Sequence, residues 1–241
     1  MALKAGIIGM PNVGKSTLFN AITKKNILAA NYPFATIDPN LGTVTVPDVR
    51  LGVLENMYNP ERCIGVQYEF TDIAGLVKGA SNGEGLGNKF LSHIRETDAI
   101  VEVVRCFDDA DIIHVEGKTD PIRDIEIINV ELILADLEIA ENRVSKIQKK
   151  AETTKDKDAV AEYEVLKKCV DALTNNIPLR HLEFSEDELL QLKNFNFITQ
   201  KPIIYAANVS EDDCIIGENE YTKLVKEYAK NDDAQVIVMC A

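Results

Sequence analysis

The feature that most constrains this chain is a short apolar run, Ala5-Gly6-Ile7-Ile8, that breaks into Gly9-Met10-Pro11-Asn12-Val13-Gly14-Lys15-Ser16 and then into Thr17-Leu18-Phe19-Asn20-Ala21-Ile22. A strand feeding a glycine-framed loop and then a helix is the context in which G-x-x-x-x-G-K-[ST] forms a P-loop. The glycines permit tight curvature, loop N–H groups wrap phosphate oxygens, and the helix N-terminus adds partial positive charge. Lys15 reaches the terminal phosphates of a nucleotide, and the Ser16 hydroxyl is placed to coordinate magnesium (Mg2+) bridging two of them. Asn12, Val13, Gly14, Lys15, Ser16 and Thr17 form the candidate phosphate-binding set.

Such a loop needs a sheet behind it. Apolar runs rich in Ile and Val recur at 5–9, 43–46, 66–72, 99–104, 202–207 and 235–239, bounded by turn residues and mostly separated by helical stretches. That alternation predicts an α/β fold, a mostly parallel sheet flanked by helices. The runs at 43–46 and 65–70 are separated only by a short helical segment around Leu51, Leu54 and Met57, so they are expected to pair antiparallel at one edge.

From about 125 to 200 the strand signal stops. Val130, Ile133, Leu137, Ala140, Val144, Ile147 and Ala151 recur at heptad spacing, and Ala159, Tyr163, Leu166, Val170, Leu173 and Ile177 form a second set. With the polar stretch 153–158 between them, they predict an antiparallel coiled-coil hairpin inserted into the sheet domain. The expected organisation is 1–124 as the first part of the sheet domain, 125–200 as the insertion and 201–241 as the second part. Near the hairpin tip, Arg143, Lys146, Lys149, Lys150, Lys155 and Lys157 face only Glu152 and Asp156. This basic tip reads either as a solvated helix face or as a contact for RNA phosphate through charge neutralisation.

The formal net charge of -13 over 241 residues argues against a protein that coats nucleic acid or anionic membrane with its whole surface. The five cysteines, Cys63, Cys106, Cys169, Cys214 and Cys240, are far apart with no CxxC pair, so buried free thiols in a reducing cytosol are expected rather than zinc or disulfides. No apolar run reaches membrane-spanning length, and Met-Ala-Leu-Lys-Ala enters the first strand without a charged leader. A soluble cytoplasmic protein with no membrane partner is the expectation.

A second half of the site follows the run Tyr68-Glu69-Phe70-Thr71. In Asp72-Ile73-Ala74-Gly75, Asp72 is expected to act on magnesium through a metal-bound water, and Gly75 to offer its N–H to the γ-phosphate. The stretch from Leu76 to Gly87, with Gly79, Gly83 and Gly85, reads as a nucleotide-sensitive switch. Thr36, in the proline-punctuated loop 31–39, is a candidate to complete magnesium coordination. In Ras-like enzymes a glutamine just after DxxG orients the attacking water. Here that residue is Leu76, which can neither donate nor accept a hydrogen bond, so hydrolysis is slow or the water is oriented from elsewhere. His93 and His181 sit on helical or polar stretches without partners and read as structural.

Three segments, Gly-Met-Pro-Asn-Val-Gly-Lys-Ser-Thr-Leu-Phe-Asn-Ala at 9–21, Asn-Tyr-Pro-Phe-Ala-Thr-Ile-Asp-Pro-Asn at 31–40 and Asp-Ile-Ala-Gly-Leu-Val-Lys-Gly-Ala at 72–80, resemble the Obg-related GTPases and most closely the YchF or Obg-like ATPase family. Gly-Glu-Gly-Leu-Gly-Asn-Lys-Phe-Leu at 83–91 and the hairpin extend the resemblance over essentially the whole chain. It implies a Ras-like P-loop NTPase domain interrupted by a helical hairpin, hydrolysis of ATP in preference to GTP, and association with ribosomes. It places Asn208 and the Val209 backbone at the adenine, Cys240 and Ala241 in a loop closing over the base, and a mobile histidine at His114. That imidazole is a candidate to handle a proton near neutral pH, with a bland loop histidine as the alternative. Family members continue past the position of Ala241 into a last helix and a β-rich TGS domain, so a partial chain is expected.

Guanine-specific relatives carry Asn-Lys-x-Asp after the strand matching 202–207, where the aspartate grips the guanine N1–H and amino group. Here the place reads Asn208-Val209-Ser210-Glu211. Adenine has neither donor, Glu211 is one methylene longer, and Val209 replaces the lysine stem. Losing the bidentate aspartate removes most guanine preference. Asn12 is a candidate ligand for a potassium ion (K+) standing in for an arginine finger, as in some relatives lacking the glutamine, or else shapes the loop by a hydrogen bond. Three readings stand: a slow magnesium-dependent ATPase, a nucleotide-gated ribosome- or RNA-binding module with incidental hydrolysis, and an Obg-type GTPase.

Overall fold

The computed structural model describes residues 3–24, 40–73, 86–109, 117–154 and 156–241. Thr36, Gly75, Leu76 and His114, expected around the γ-phosphate, and Lys155 of the basic tip lie outside these described residues, as does most of the expected switch.

In chain order the elements are β1 (Leu3–Ile8), α1 (Lys15–Thr23), β2 (Asn40–Thr45), α2 (Val49–Tyr58), β3 (Gln67–Asp72), α3 (Leu86–Arg95), β4 (Ala99–Arg105), α4 (Pro121–Thr154), α5 (Lys157–Thr174), α6 (Glu186–Leu192), β5 (Ile203–Asn208), α7 (Glu211–Ile216), α8 (Glu220–Asn231) and β6 (Gln235–Met239). Short 3-10 turns at Leu179–His181 and Ile198–Gln200 bracket α6. The strands form one sheet in the order β2-β3-β1-β4-β5-β6. All neighbours are parallel except β2 and β3, which pair antiparallel with Thr43 opposite Glu69. The edge pair expected from the two closely spaced runs is present, with α2 as the segment between them.

The central strands are buried because their sequences suit it. β4 is β-branched at most positions, and Ile100, Glu102, Val103, Val104 and Arg105 are all buried, as in parallel sheets covered on both faces. Its parallel neighbours bring Ile7 and Ile8 from β1 and Tyr205 and Ala207 from β5 into the same core as Ile94 of α3 and Val225 of α8. This order puts the C-terminal ends of β1, β3, β4 and β5 side by side, the place where open α/β sheets hold ligands.

The hairpin is also there, with two differences. Helix α4 has 34 residues, a rod of about 51 Å. It runs without a break through the expected boundary at 124. Ile125, Ile128, Leu132 and Ala135 belong to the sheet's core, whereas Ile133 and Ala140 pack with Val165, Leu166, Cys169 and Leu173 of α5. The sheet domain therefore takes in the first turns of α4. Ile147, Ala151 and Ala159 continue the buried stripe, but Val130 and Ile177 are 37% and 40% exposed. Helix α5 ends at Thr174, so both residues lie past the stretch where the two helices face each other.

Of the cysteines, Cys106 and Cys169 are buried, Cys214 is half-buried, and Cys63 and Cys240 are exposed, so the expectation of buried thiols holds for only part of the set. Burial pushes the Cys106 and Cys169 thiols up to about 12. Among the described residues no helix is long and apolar enough to cross a membrane.

Candidate nucleotide site

The loop after β1 is shaped by two glycines that nothing else could replace. Gly9 has φ of 150°, and a Cβ there would lie 2.5 Å from the backbone oxygen of Val103 on β4. Gly14 has φ of 100°, and its Cβ would lie 2.4 Å from the Asn208 side-chain nitrogen. Asn12 also sits at positive φ, 61°, which asparagine tolerates better than most residues. Helix α1 then starts at Lys15 behind Gly14 with no side-chain cap. First-turn N–H groups lack partners within a helix, and here they point from a loop already bent to receive an anion.

Lys15 is 7% exposed and donates from Nζ to the Met10 oxygen at 2.6 Å. Burial lowers its pKa to about 8, with the charge of Asp72 pulling the other way. Ser16 Oγ donates to Asp72 Oδ2 at 2.9 Å across the gap between α1 and the end of β3. Asp72 is buried, and its Oδ1 has no hydrogen-bond partner among the described residues. Burial raises the Asp72 pKa, while the Ser16 bond and the Lys15 charge hold it down.

This donor set fits a hard divalent cation. A hydroxyl has one proton and two lone pairs, so Ser16 can keep donating to Asp72 while its oxygen faces a metal. The unpaired Asp72 Oδ1 is an acceptor suited to a metal-bound water, and all the groups are oxygens, as magnesium requires.

The second group is assembled from the other side of the sheet. Asn208, 1% exposed at the end of β5, donates from Nδ2 to Val13 O at 2.9 Å and accepts from Ala241 N at 3.0 Å. Val209 is buried in the core, and its N–H goes to Met239 O at 2.8 Å, so its side chain does not lie over a base as the lysine stem would. Ser210 caps α7 by accepting from Asp213 N, which leaves Glu211 exposed as the first residue of that helix. Thr17 and Cys240 are exposed.

The expected residues thus gather as two groups: Lys15, Ser16 and Asp72, and Val13, Gly14, Asn208 and Ala241. The Met10 carbonyl that holds Lys15, and the Asn219 side chain that donates to Cys106 O at 2.8 Å under the end of β4, are contributions sequence reasoning missed. No motif marks a backbone carbonyl. Asn219 is visible beforehand only as the N-cap of α8, where it accepts from Thr222 N. His181, expected to lack a partner, has its Nε2 2.5 Å from Asp232 Oδ1.

A family model described as 50S ribosome-binding GTPase matches residues 4–142. The ribosome-binding ATPase YchF of Bacillus subtilis is 56% identical over 242 residues, covering 100% of this chain and 66% of that protein. Its counterpart in Escherichia coli O157:H7 is 52% identical over 241 residues, with the same coverage of 100% and 66%. The solved structure of the Schizosaccharomyces pombe YchF GTPase aligns with a TM-score of 0.81 at 44% identity, over 99% of this chain and 65% of that one. The chain spans about two-thirds of the length of the curated relatives it matches. With a P-loop, the β2-β3-β1-β4-β5-β6 sheet and the inserted hairpin all in place, the chain belongs to the YchF family within the 50S ribosome-binding GTPases.

Proposed function

We propose that this chain binds ATP with magnesium, hydrolyses it slowly in preference to GTP, and uses the bound nucleotide to set its engagement with the ribosome in the cytoplasm. The observation that carries the reading is the cluster of buried Lys15 and Asp72 with half-buried Ser16 at the mouth of a glycine-shaped loop. The relatives named as ribosome-binding ATPases support the choice of nucleotide and partner.

In this reading the loop N–H groups from Asn12 to Thr17 and the Lys15 ammonium hold the phosphates. Magnesium, when bound, would offset charge that develops during phosphoryl transfer. Ser16 and Thr36 would hold it, Asp72 would act on it through a water, and Gly75 would offer its N–H to the γ-phosphate. Water attacks in line. Leu76 gives that water no hydrogen bond, which makes turnover slow, and His114 is the candidate proton carrier. Asn12 is the candidate potassium ligand, and equal turnover in potassium and sodium would remove it from that role.

Asn208 uses one Nδ2 hydrogen on Val13, which leaves the other for a purine nitrogen. Glu211 is exposed and one methylene longer than the aspartate of guanine-specific relatives, with no guanine N1–H to meet in ATP. Cys240 and Ala241 stand beside the base in this arrangement, and Ala241 is tied there by Asn208.

The hairpin tip is the proposed RNA contact. Arg143 is paired with Glu162 and Lys150 with Asp156, so among the described residues the positive charge that remains for phosphate rests on Lys146, Lys149 and Lys157. Single-turnover hydrolysis with and without ribosomes tests the whole reading. Slow turnover that changes with ribosomes is expected, and no hydrolysis under either condition would leave a binding module only. Reversing Lys146, Lys149 and Lys157 to Glu should weaken ribosome binding at least about tenfold, and unchanged binding would exclude the tip.

A further inference from the structure

A single residue, the last one of α3, is bonded both to α4, the outgoing helix of the hairpin, and to the segment that runs from α6 into β5. Arg95 donates to Asp136 Oδ1 at 2.6 Å and to Ala135 O at 3.0 Å on the outgoing leg, α4. Beyond α6 it reaches Asn196 O at 3.4 Å, and Lys201 closes the contact by donating back to Arg95 O at 3.0 Å. Asp136 is fully buried and ties α4 to the 3-10 turn before β5, accepting also from Ile198 N at 3.1 Å, Thr199 N at 2.7 Å and Thr199 Oγ1 at 2.8 Å. In the sequence, α3 is the first described element after Asp72-Ile73-Ala74-Gly75.

A second grip lies two turns earlier on the same face of α4. Asn129 accepts from Arg180 Nη2 at 3.1 Å and donates to Tyr228 OH at 3.1 Å. Arg180 is anchored in turn to Asp232 at 2.8 Å, which also accepts from Tyr205 OH of β5. This grip belongs to β5 and α8, whereas α3 enters the other through Arg95.

We propose that Arg95 and Asp136 gear the hairpin to the nucleotide site, with the Asn129, Arg180 and Asp232 cluster as fulcrum and α3 as the driving arm. Asn129 and Asp136 are about 10.5 Å apart along α4, and Thr154 at the tip is about 37 Å from Asn129. A 1 Å shift of α3 across the sheet is therefore read out at the tip as about 3.5 Å, the small shear of packed helices that switches use. Arg95 and Asp136 touch no substrate and act as positioning residues. The inference rests on the ATP-switch reading above and names its output.

Energy transfer between dyes on noncanonical amino acids at Lys149 and Glu227, both exposed, tests it. The unaltered chain should change this distance by at least about 3 Å between ADP and a non-hydrolysable ATP analogue. Asp136→Asn and Arg95→Gln should each remove most of that change while leaving the dissociation constant for the analogue within about twofold. Arg95→Gln keeps the three bonds of Asp136 to Ile198 and Thr199, so it decides the matter should Asp136→Asn not fold. A chain that binds the analogue without moving its tip overturns the gearing, as does a full tip movement in Arg95→Gln. A chain that binds no ATP at all overturns the switch reading and the gearing with it, a failure recognised from the binding measurement alone.

Discussion

The Asn208 side chain donates to Val13 O at 2.9 Å across 195 residues of sequence, and so fastens the phosphate loop to the end of β5. The same side chain accepts from Ala241 N, so one amide ties together the loop, the central sheet and the segment after β6. Removing it should be costly in two ways. Asn208→Ala strands the Val13 carbonyl beside a buried residue, a loss of about 1–3 kcal/mol by denaturant unfolding. It should also weaken nucleotide binding at least about tenfold. Native stability together with unchanged affinity would show that the amide is not a strut.

Two glycine substitutions should have opposite signs. In Gly9→Ala the new methyl group meets the Val103 carbonyl at 2.5 Å, and a backbone atom in a central strand cannot move aside. A loss of about 2 kcal/mol or more is expected, with nucleotide binding abolished. Gly52, within α2, has nothing within 4 Å of its would-be Cβ. Gly52→Ala should therefore raise stability by about 0.5–1 kcal/mol and leave binding alone. Thermal and denaturant melts of both variants check the pair.

Nucleotide affinity should fall as pH rises above about 8. Burial holds the Lys15 ammonium near a pKa of about 8, and phosphate needs it charged. Above that pH the free protein is increasingly neutral at Lys15, so binding must take up a proton, and the dissociation constant rises toward about tenfold per pH unit. For folding the sign is the reverse. Between about 8 and the ordinary lysine value the unfolded chain holds more protons, so this group makes stability rise with pH. Calorimetric titration at pH 9 in two buffers of different ionisation enthalpy should show proton uptake approaching one per nucleotide, and no uptake would contradict the assignment.

Glu102, buried in β4 with neither carboxylate oxygen hydrogen-bonded among the described residues, should destabilise the fold as pH rises. Burial raises its pKa well above the ordinary value, with the nearby Arg180 charge opposing and Asp232 and Asp124 reinforcing. Once pH passes the unfolded value, the unfolded chain releases a proton that the native state keeps, so stability falls toward the native pKa. Glu102→Gln has the same shape and no titration. It should melt higher than the unaltered protein by about 2 °C or more at pH 8, with a smaller difference at pH 5. An equal difference at both pH values would show that Glu102 does not titrate in this way.

Much of this architecture is legible in the residues because its signals are local. The Ile- and Val-rich runs mark the six described strands, and those at 43–46 and 65–70 fall on the antiparallel edge pair. Lys15, Ser16 and Asp72 are legible through their motifs, which encode a strand end and a helix start. What escapes is set by distant packing. The heptad spacing runs on through Val130 and Ile177, but where α5 stops decides whether the two helices still face each other there. The boundary at 124 is invisible because α4 keeps one helical repeat while changing its partner from sheet to α5. The Asn208 strut exists only because β5 lies beside β4 and β4 beside β1, and no spacing along the chain expresses that order.

In the proposed function the loop from Gly9 to Ser16, closed by Asn208, holds ATP with magnesium in preference to GTP. Displacement of a labelled nucleotide by ATP and by GTP, at pH 7.5 with and without magnesium, tests it most directly. ATP should compete at a concentration at least about tenfold below GTP, since Glu211 stands where guanine-specific relatives carry the shorter aspartate that grips the guanine donors. Removing magnesium should weaken ATP binding. Equal competition or an advantage for GTP would contradict it.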